Sequence, residues 1–195
     1  MNAGILEFDE ASHVYSVDGR VYPSVTQIIS ATFPDLFAAI PPAVLARKAN
    51  LGTAVHAAIE LYLHEELDTS SMHPAIMPYF ESWLAWATDE IQTTVQLEAR
   101  FASVLGYAGT VDWVGDTSTH GLCILDWKTT ASPSRTHRIQ TAGYAVGLPE
   151  PLAKRGCLYL KGDGSRAILN LHPDPRDIVD WTSVLRVYNL KKGMQ

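Results

Sequence analysis

The chain has 195 residues, 47% of them hydrophobic, and a formal net charge of -6. That length and composition suit a single domain, 1–195, with a full core, and the charge argues against a protein that coats nucleic acid non-specifically without excluding an enzyme that acts on it. No apolar run approaches the ~20 residues that span a bilayer. Residues 1–10 also lack a basic segment followed by an apolar one, so no membrane partner and a cytoplasmic location are expected. The two cysteines, Cys123 and Cys157, sit in apolar strand-like surroundings, which fits buried thiols better than a disulfide. They are too few for a four-cysteine iron–sulfur cluster. No internal repeat or low-complexity tract is present.

Residues 5–22 alternate apolar and polar positions and carry Asp18-Gly19, a two-residue hairpin signal. A small hairpin is expected there. Ser24 and Gln27 then have the spacing of a capping box, so a short helix starts at Ser24 and completes an N-terminal unit, 1–34. The hydroxyls of Ser24 and Thr26 at its N-terminus are candidate phosphate contacts, beside the plainer reading as caps. After Pro34, Pro41 and Pro42, a longer helix is expected over 43–63, with Val55, Ile59, Tyr62 and Leu63 as its apolar stripe. His56 and Glu60, four residues apart, project from one face of it. Such a histidine is either a satisfied core residue or, facing carboxylates, a metal ligand with Glu60 as support. A polar connection over 64–73 leads to an amphipathic helix over 74–92, in which Trp83 and Trp86 read as packing residues.

A strand over 93–105 carries Glu98 and Arg100 on one face, read as an ion pair or as additions to a site. Gly109-Thr-Val-Asp-Trp-Val-Gly115 and Cys123-Ile-Leu-Asp-Trp-Lys-Thr129 read as the next two strands, forming a hairpin. Asp126 and Lys128 then share a face while Trp127 points away, and Asp112 reaches the same place. Two carboxylates about 4 Å apart repel by roughly 4 kcal/mol at an effective dielectric near 20. Lys128 neutralises only one of them, and a divalent cation such as Mg²⁺ or Mn²⁺ suits the rest. An isolated D-x-K is ordinarily no more than an ion pair; the rest of the chain is what favours a site.

A helix over 136–146 follows, with Gln140 and Tyr144 on one face and Arg135, His137 and Arg138 at its start. With Arg47, Lys48, Lys154 and Arg155, these are candidates for a phosphate-binding track. Strands over 156–161 and 166–171 flank a Gly162-Asp-Gly164 turn, closing a core of 43–172, and a helix over 175–189 dominates the C-terminal unit, 173–195. Strands with helices before, between and after them imply an α/β fold with a mixed central β-sheet flanked by helices.

In this order, Gly52-Thr-Ala-Val-His56, Gly109-Thr-Val-Asp112, Asp126-Trp-Lys128 and Gln140-Thr-Ala-Gly-Tyr144 resemble the RecB-like exonuclease branch of the PD-(D/E)XK nuclease superfamily, whose members include phage, CRISPR-associated and mitochondrial genome-maintenance exonucleases. Tyr22-Pro-Ser-Val-Thr26 resembles a segment that precedes the catalytic core in some members. The resemblance covers about residues 22–144. It implies a restriction-endonuclease-like core in which His56, Asp112, Asp126 and the carbonyl of Trp127 hold one or two Mg²⁺ or Mn²⁺ ions. It further implies that Lys128 orients or deprotonates the attacking water, and that Gln140 and Tyr144 place the DNA or the other site residues. Glu98 is a further candidate. No iron–sulfur cluster is implied, because the cluster cysteines are missing.

The expected function is therefore a metal-dependent DNA exonuclease with a preference for ends, acting in replication, recombination or repair. Any helicase or recombination partner would be a separate protein, and a phage-encoded version would work in the host cytoplasm. The alternatives are a structure-specific endonuclease on the same fold and a non-cleaving nucleic-acid-binding module.

Overall fold

The computed structural model describes residues 5–10, 12–36, 40–130, 132–148 and 153–194. The chain opens with a small antiparallel sheet of β1 (Leu6–Asp9), β2 (Val14–Val17) and β3 (Arg20–Tyr22). Asp18 and Gly19 join β2 to β3 with positive φ angles of 49° and 76°, the requirement of a tight hairpin turn. One strand more is present than a lone hairpin would supply, because β1 pairs along the whole of β2. Helix α1 (Val25–Thr32) begins with the expected capping box: Ser24 Oγ accepts from the Gln27 amide and Gln27 Oε1 accepts from the Ser24 amide.

Helix α2 (Pro42–Leu63) starts on a proline, whose missing N–H costs nothing in the first turn. Helix α3 (Met77–Glu90) is shorter at both ends than the expected 74–92. Ile91 and Gln92 instead begin strand β4 (Ile91–Ser103), where the run Ile91, Thr93, Thr94 and Val95 favours extended backbone. Strands β5 (Tyr107–Thr117), β6 (Gly121–Lys128), β7 (Lys154–Tyr159) and β8 (Ile168–Leu171) complete a five-stranded sheet in sequential order. Neighbouring strands are antiparallel except β6 and β7, which are parallel and joined by α4 (Arg135–Gly147). Helix α5 (Arg176–Gly193) runs past the expected end at residue 189, and Lys191 and Lys192 in its last turn complement the helix dipole. The first four residues of the N-terminal unit and the last residue of the C-terminal one lie outside the described part.

The architecture is α/β: a mixed sheet flanked by helices on both faces. Val25, Ile28 and Ile29 of α1, Ala142 and Tyr144 of α4, and Trp181 and Leu185 of α5 pack with Phe101, Val111 and Ile124. On the opposite face Val55 and Ile59 of α2 and Phe80, Trp83 and Trp86 of α3 pack with Trp113, Leu125, Trp127 and Leu158. Both tryptophans of α3 are core residues, and Cys123 and Cys157 are buried free thiols. At Gly109 an added Cβ would lie 2.9 Å from the Phe101 ring and 3.3 Å from Tyr144, so the bare backbone there lets these two rings close on the sheet.

An ion network with Arg155 and Asp177 buried at its centre ties α4 to α5 and β7. Asp177, 1% exposed, pairs with Arg138 and, at 3.0 Å, with Arg155, while Arg155 also donates to the Asp174 carbonyl at 2.7 Å. Arg138 pairs with Asp180 as well, at 2.8 Å. Two residues expected on a phosphate track thus hold the fold together, because burial of Arg155 and Asp177 demands mutual partners. Asp177→Ala strands Arg155 in the interior and is expected to cost about 3–5 kcal/mol of stability, measured by urea unfolding.

Candidate active site

Pairing between β5 and β6 runs from Thr117 opposite Gly121 to Trp113 opposite Leu125, and β6 continues through Lys128 against β7 alone. The sheet therefore forks just beyond Trp113, with Asp112 on one branch and Asp126 on the other. Across the fork Asp112 Oδ2 accepts the Trp127 amide at 2.5 Å, doing for that N–H what a ladder carbonyl does elsewhere.

His56 reaches the fork from α2. Its Nδ1 lies 3.1 Å from Asp112 Oδ1 and its Nε2 lies 3.0 Å from the Trp127 carbonyl. Both neighbours are acceptors, so both ring nitrogens carry hydrogen and the ring is an imidazolium. Burial alone would lower its pKa, but the Asp112 carboxylate, by charge and hydrogen bond, outweighs it and lifts the pKa to about 9.

From the opposite layer, α4 supplies Gln140 and Tyr144. Gln140 Nε2 donates to Asp126 Oδ1 at 2.8 Å and to the Tyr144 hydroxyl at 2.6 Å, and Gln140 Oε1 accepts from Lys128 Nζ at 3.0 Å. Lys128 Nζ lies 2.5 Å from Asp126 Oδ2. Burial works against the Lys128 charge, but Asp126 more than compensates, and Lys128 is held as the ammonium. Four side chains that are all at least half buried thus form one hydrogen-bonded chain, in which Gln140 has a donor and an acceptor facing the right partners.

These groups open into a cleft of about 450 Å³ that Ser24, Thr26, Thr53, Glu60, Glu98 and Arg100 also line. Glu98 does not pair with Arg100, as its shared strand face suggested; Arg100 instead donates to Glu10 at 3.0 Å. Glu98 has a left-handed backbone, with φ of 45°, at the position on β4 level with Asp112. Burial, with Asp112 and Glu60 adding in the same direction, raises its pKa to about 8.

The basic candidates divide. Arg47 and Lys48 are exposed on α2 and Arg135 is exposed at the start of α4, none of them lining the cleft. His137 belongs to the capping box of α4 and hydrogen bonds to the Tyr159 hydroxyl at 2.7 Å. Burial lowers its pKa to about 4, so it brings no charge to a phosphate at neutral pH. The cleft wall contributed by β1 and β2, with Phe8, Glu10, His13 and Tyr15, carries no signal in the sequence beyond strand alternation.

The site's oxygen-rich donor set, with one imidazole, fits Mg²⁺ or Mn²⁺ in kind. Among the described residues lining the cleft, Glu60, Asp112 and Asp126 outnumber His56 and Lys128, with Arg100 already paired to Glu10, which leaves negative charge for a cation to offset; Glu98 adds to it only above about pH 8. Among the described residues, however, no three His, Cys, Asp or Glu side chains converge as a ready-made ligand group. His56 also has to release a proton before it can ligate.

Titration of these groups sets a pH dependence. Glu98, with a pKa raised from 4.5 to about 8, and His56, raised from 6.5 to about 9, are both groups whose folded form favours the proton. The contribution of each group to stability is therefore fully present below its unfolded value, 4.5 or 6.5, and is lost as pH rises, through about 8 for Glu98 and about 9 for His56. In chelator, Glu98→Gln removes the first contribution, so thermal melts from pH 5 to pH 9 are expected to show the variant gaining on the parent protein as pH rises. A constant difference across that range would disprove the assignment.

No protein-family model matches this chain and no curated protein matches it, so the functional reading rests on the residues and geometry of the cleft.

Proposed function

We propose that this protein is a Mg²⁺- or Mn²⁺-dependent nuclease that hydrolyses phosphodiester bonds of DNA from an end, on a restriction-endonuclease-like core of the RecB-like type. The observation that carries the reading is the single hydrogen-bonded chain of Asp126, Lys128, Gln140 and Tyr144, set against Asp112 and His56 at the fork of the sheet. A non-catalytic ion pair needs neither the second carboxylate nor a glutamine that fixes the lysine.

Asp112, Asp126, His56 and the Trp127 carbonyl are the groups that would hold the cation. Once bound, the ion lowers the pKa of a water and offsets charge on the phosphoryl oxygens. The water oxygen attacks phosphorus and gives up a proton to solvent as the P–O bond to the leaving sugar breaks, and the departing oxygen takes a proton from solvent. Lys128, held as an ammonium, acts by donating a hydrogen bond to the attacking water or a phosphoryl oxygen rather than by removing a proton. Gln140 sets the direction of that ammonium, and Tyr144 sets Gln140. Thr26 and the capped start of α1 line the same cleft, where they can meet the strand beyond the scissile phosphate. A role in replication, recombination or repair in the cytoplasm, with or without a partner motor, belongs to the same proposal. Among the described residues no helix is long and apolar enough to cross a membrane.

Lys128→Ala is expected to lower cleavage by about 10²-fold or more while the protein still binds DNA. Asp112→Asn is expected to abolish both cleavage and the rise in melting temperature that Mn²⁺ gives the parent protein. The assay uses end-labelled linear single strands, linear duplex and closed circular DNA with Mg²⁺, Mn²⁺ or chelator. Cleavage of linear DNA alone supports the proposal; nicking of circles replaces it with an endonuclease. Binding without cleavage on any substrate replaces it with a binding module.

A further inference from the structure

One wall of the cleft comes from outside the core. Phe8, Glu10, His13 and Tyr15, from β1, β2 and their connection, face Thr110 and Arg100 of the large sheet across the same space that holds Asp112 and Lys128. Tyr15, 1% exposed, fixes this wall to the sheet through a 2.7 Å hydrogen bond with Thr110. Arg100 is pinned twice: Cζ lies 4.8 Å over the Phe8 ring, and Nη2 donates to Glu10 at 3.0 Å. Its side chain remains 42% exposed. His13 stands exposed with its ring edge-on to Phe8, centroids 5.2 Å apart, on a left-handed backbone with φ of 52°.

We propose that this wall makes the cleft a single-strand site, in which an unpaired base stacks on Arg100 and His13 about one nucleotide away from the phosphate at Asp112. The inference rests on the nuclease reading for the position of that phosphate. Arg100 is paired in register with Thr110, which lies two residues from Asp112 on the same strand, a step of about 7 Å along the sheet. Guanidinium planes and aromatic rings stack bases of any sequence. The local charge selects a base over a backbone phosphate: Glu10 already occupies Arg100, and Glu60 lines the cleft nearby. Bases in a duplex are stacked on one another, and a volume of about 450 Å³ is that of a small-ligand pocket. An unpaired nucleotide fits such a space and presents a free face to Arg100, whereas a terminal base pair would have to bring its second strand into the cleft as well.

The test uses full-length protein carrying Lys128→Ala, with Mn²⁺ present. The probes are a twelve-nucleotide DNA single strand with 2-aminopurine at each of its terminal positions in turn, and the blunt duplex of the same sequence. The single strand is expected to bind about tenfold or more tightly than the duplex, with 2-aminopurine fluorescence quenched at one position by stacking. Adding Arg100→Ala or Arg100→Lys is expected to weaken single-strand binding about fivefold or more and to relieve the quench, with unchanged thermal melts. Equal affinity for duplex, absence of quenching, or parent-like behaviour of Arg100→Lys, which keeps the charge but not the plane, overturns the inference. Quenched single-strand binding by a protein whose Lys128 form cleaves nothing supports this inference and removes the nuclease reading. Cleavage of duplex as fast as single strand, unaffected by Arg100→Lys, does the reverse.

Discussion

Everything at the cleft follows from the point where β5 parts from β6. As long as the strands stay paired, helices of one layer cannot meet those of the other. Beyond Trp113 and Leu125 the ladder ends, and the gap lets His56 of α2 and Gln140 of α4 approach the same pair of aspartates from opposite sides. The parting leaves the Trp127 amide without a strand partner on that side, and the Asp112 carboxylate accepts it. A side chain that closes a backbone hydrogen bond cannot wander, so Asp112 is fixed by the same irregularity that makes room for the site.

The electrostatics are more balanced than two bare aspartates facing one lysine. His56 supplies a second positive charge, because its ring lies between two acceptors, and Lys128 supplies the other. A cation is therefore not demanded by Asp112 and Asp126 alone. The excess of negative charge comes from Glu60, which lines the same space, while Glu98 beside it holds its proton to about pH 8 and adds charge only above that. The left-handed backbone at Glu98 is one of four non-glycine residues with positive φ among the described residues; it occurs level with Asp112, between the pairs Leu97–Trp113 and Ala99–Val111, which keep one register.

Positive charge elsewhere has a different use. Arg138 and Arg155 hold α4, the helix that carries Gln140 and Tyr144, against α5 and β7 through Asp177. Arg100 is held by a residue of the N-terminal sheet rather than by its neighbour on β4. Each of these pairings joins residues far apart in the chain, and in each the partner is chosen by packing.

Local sequence was enough for most of the secondary elements, though not for strand β1 or for the ends of α3 and α5, and for part of the candidate site. The Asp18-Gly19 turn, the Ser24–Gln27 capping box, the Val55 and Ile59 part of the α2 stripe (Tyr62, expected with them, is exposed) and the alternation of β6 each report short-range physics: a backbone angle, a cap, a periodicity. For the same reason Asp126 and Lys128 on one face, and Gln140 and Tyr144 on one face, were legible as pairs. Long-range pairing was not. That β5 and β6 separate at Trp113, that Arg100 turns to Glu10 and Phe8, that Arg155 is interior, and that the N-terminal strands wall the cleft depend on contacts between residues as far as 95 apart in the chain. Such contacts are set by how the layers pack around the sheet, and a residue's own neighbours in sequence carry no record of them.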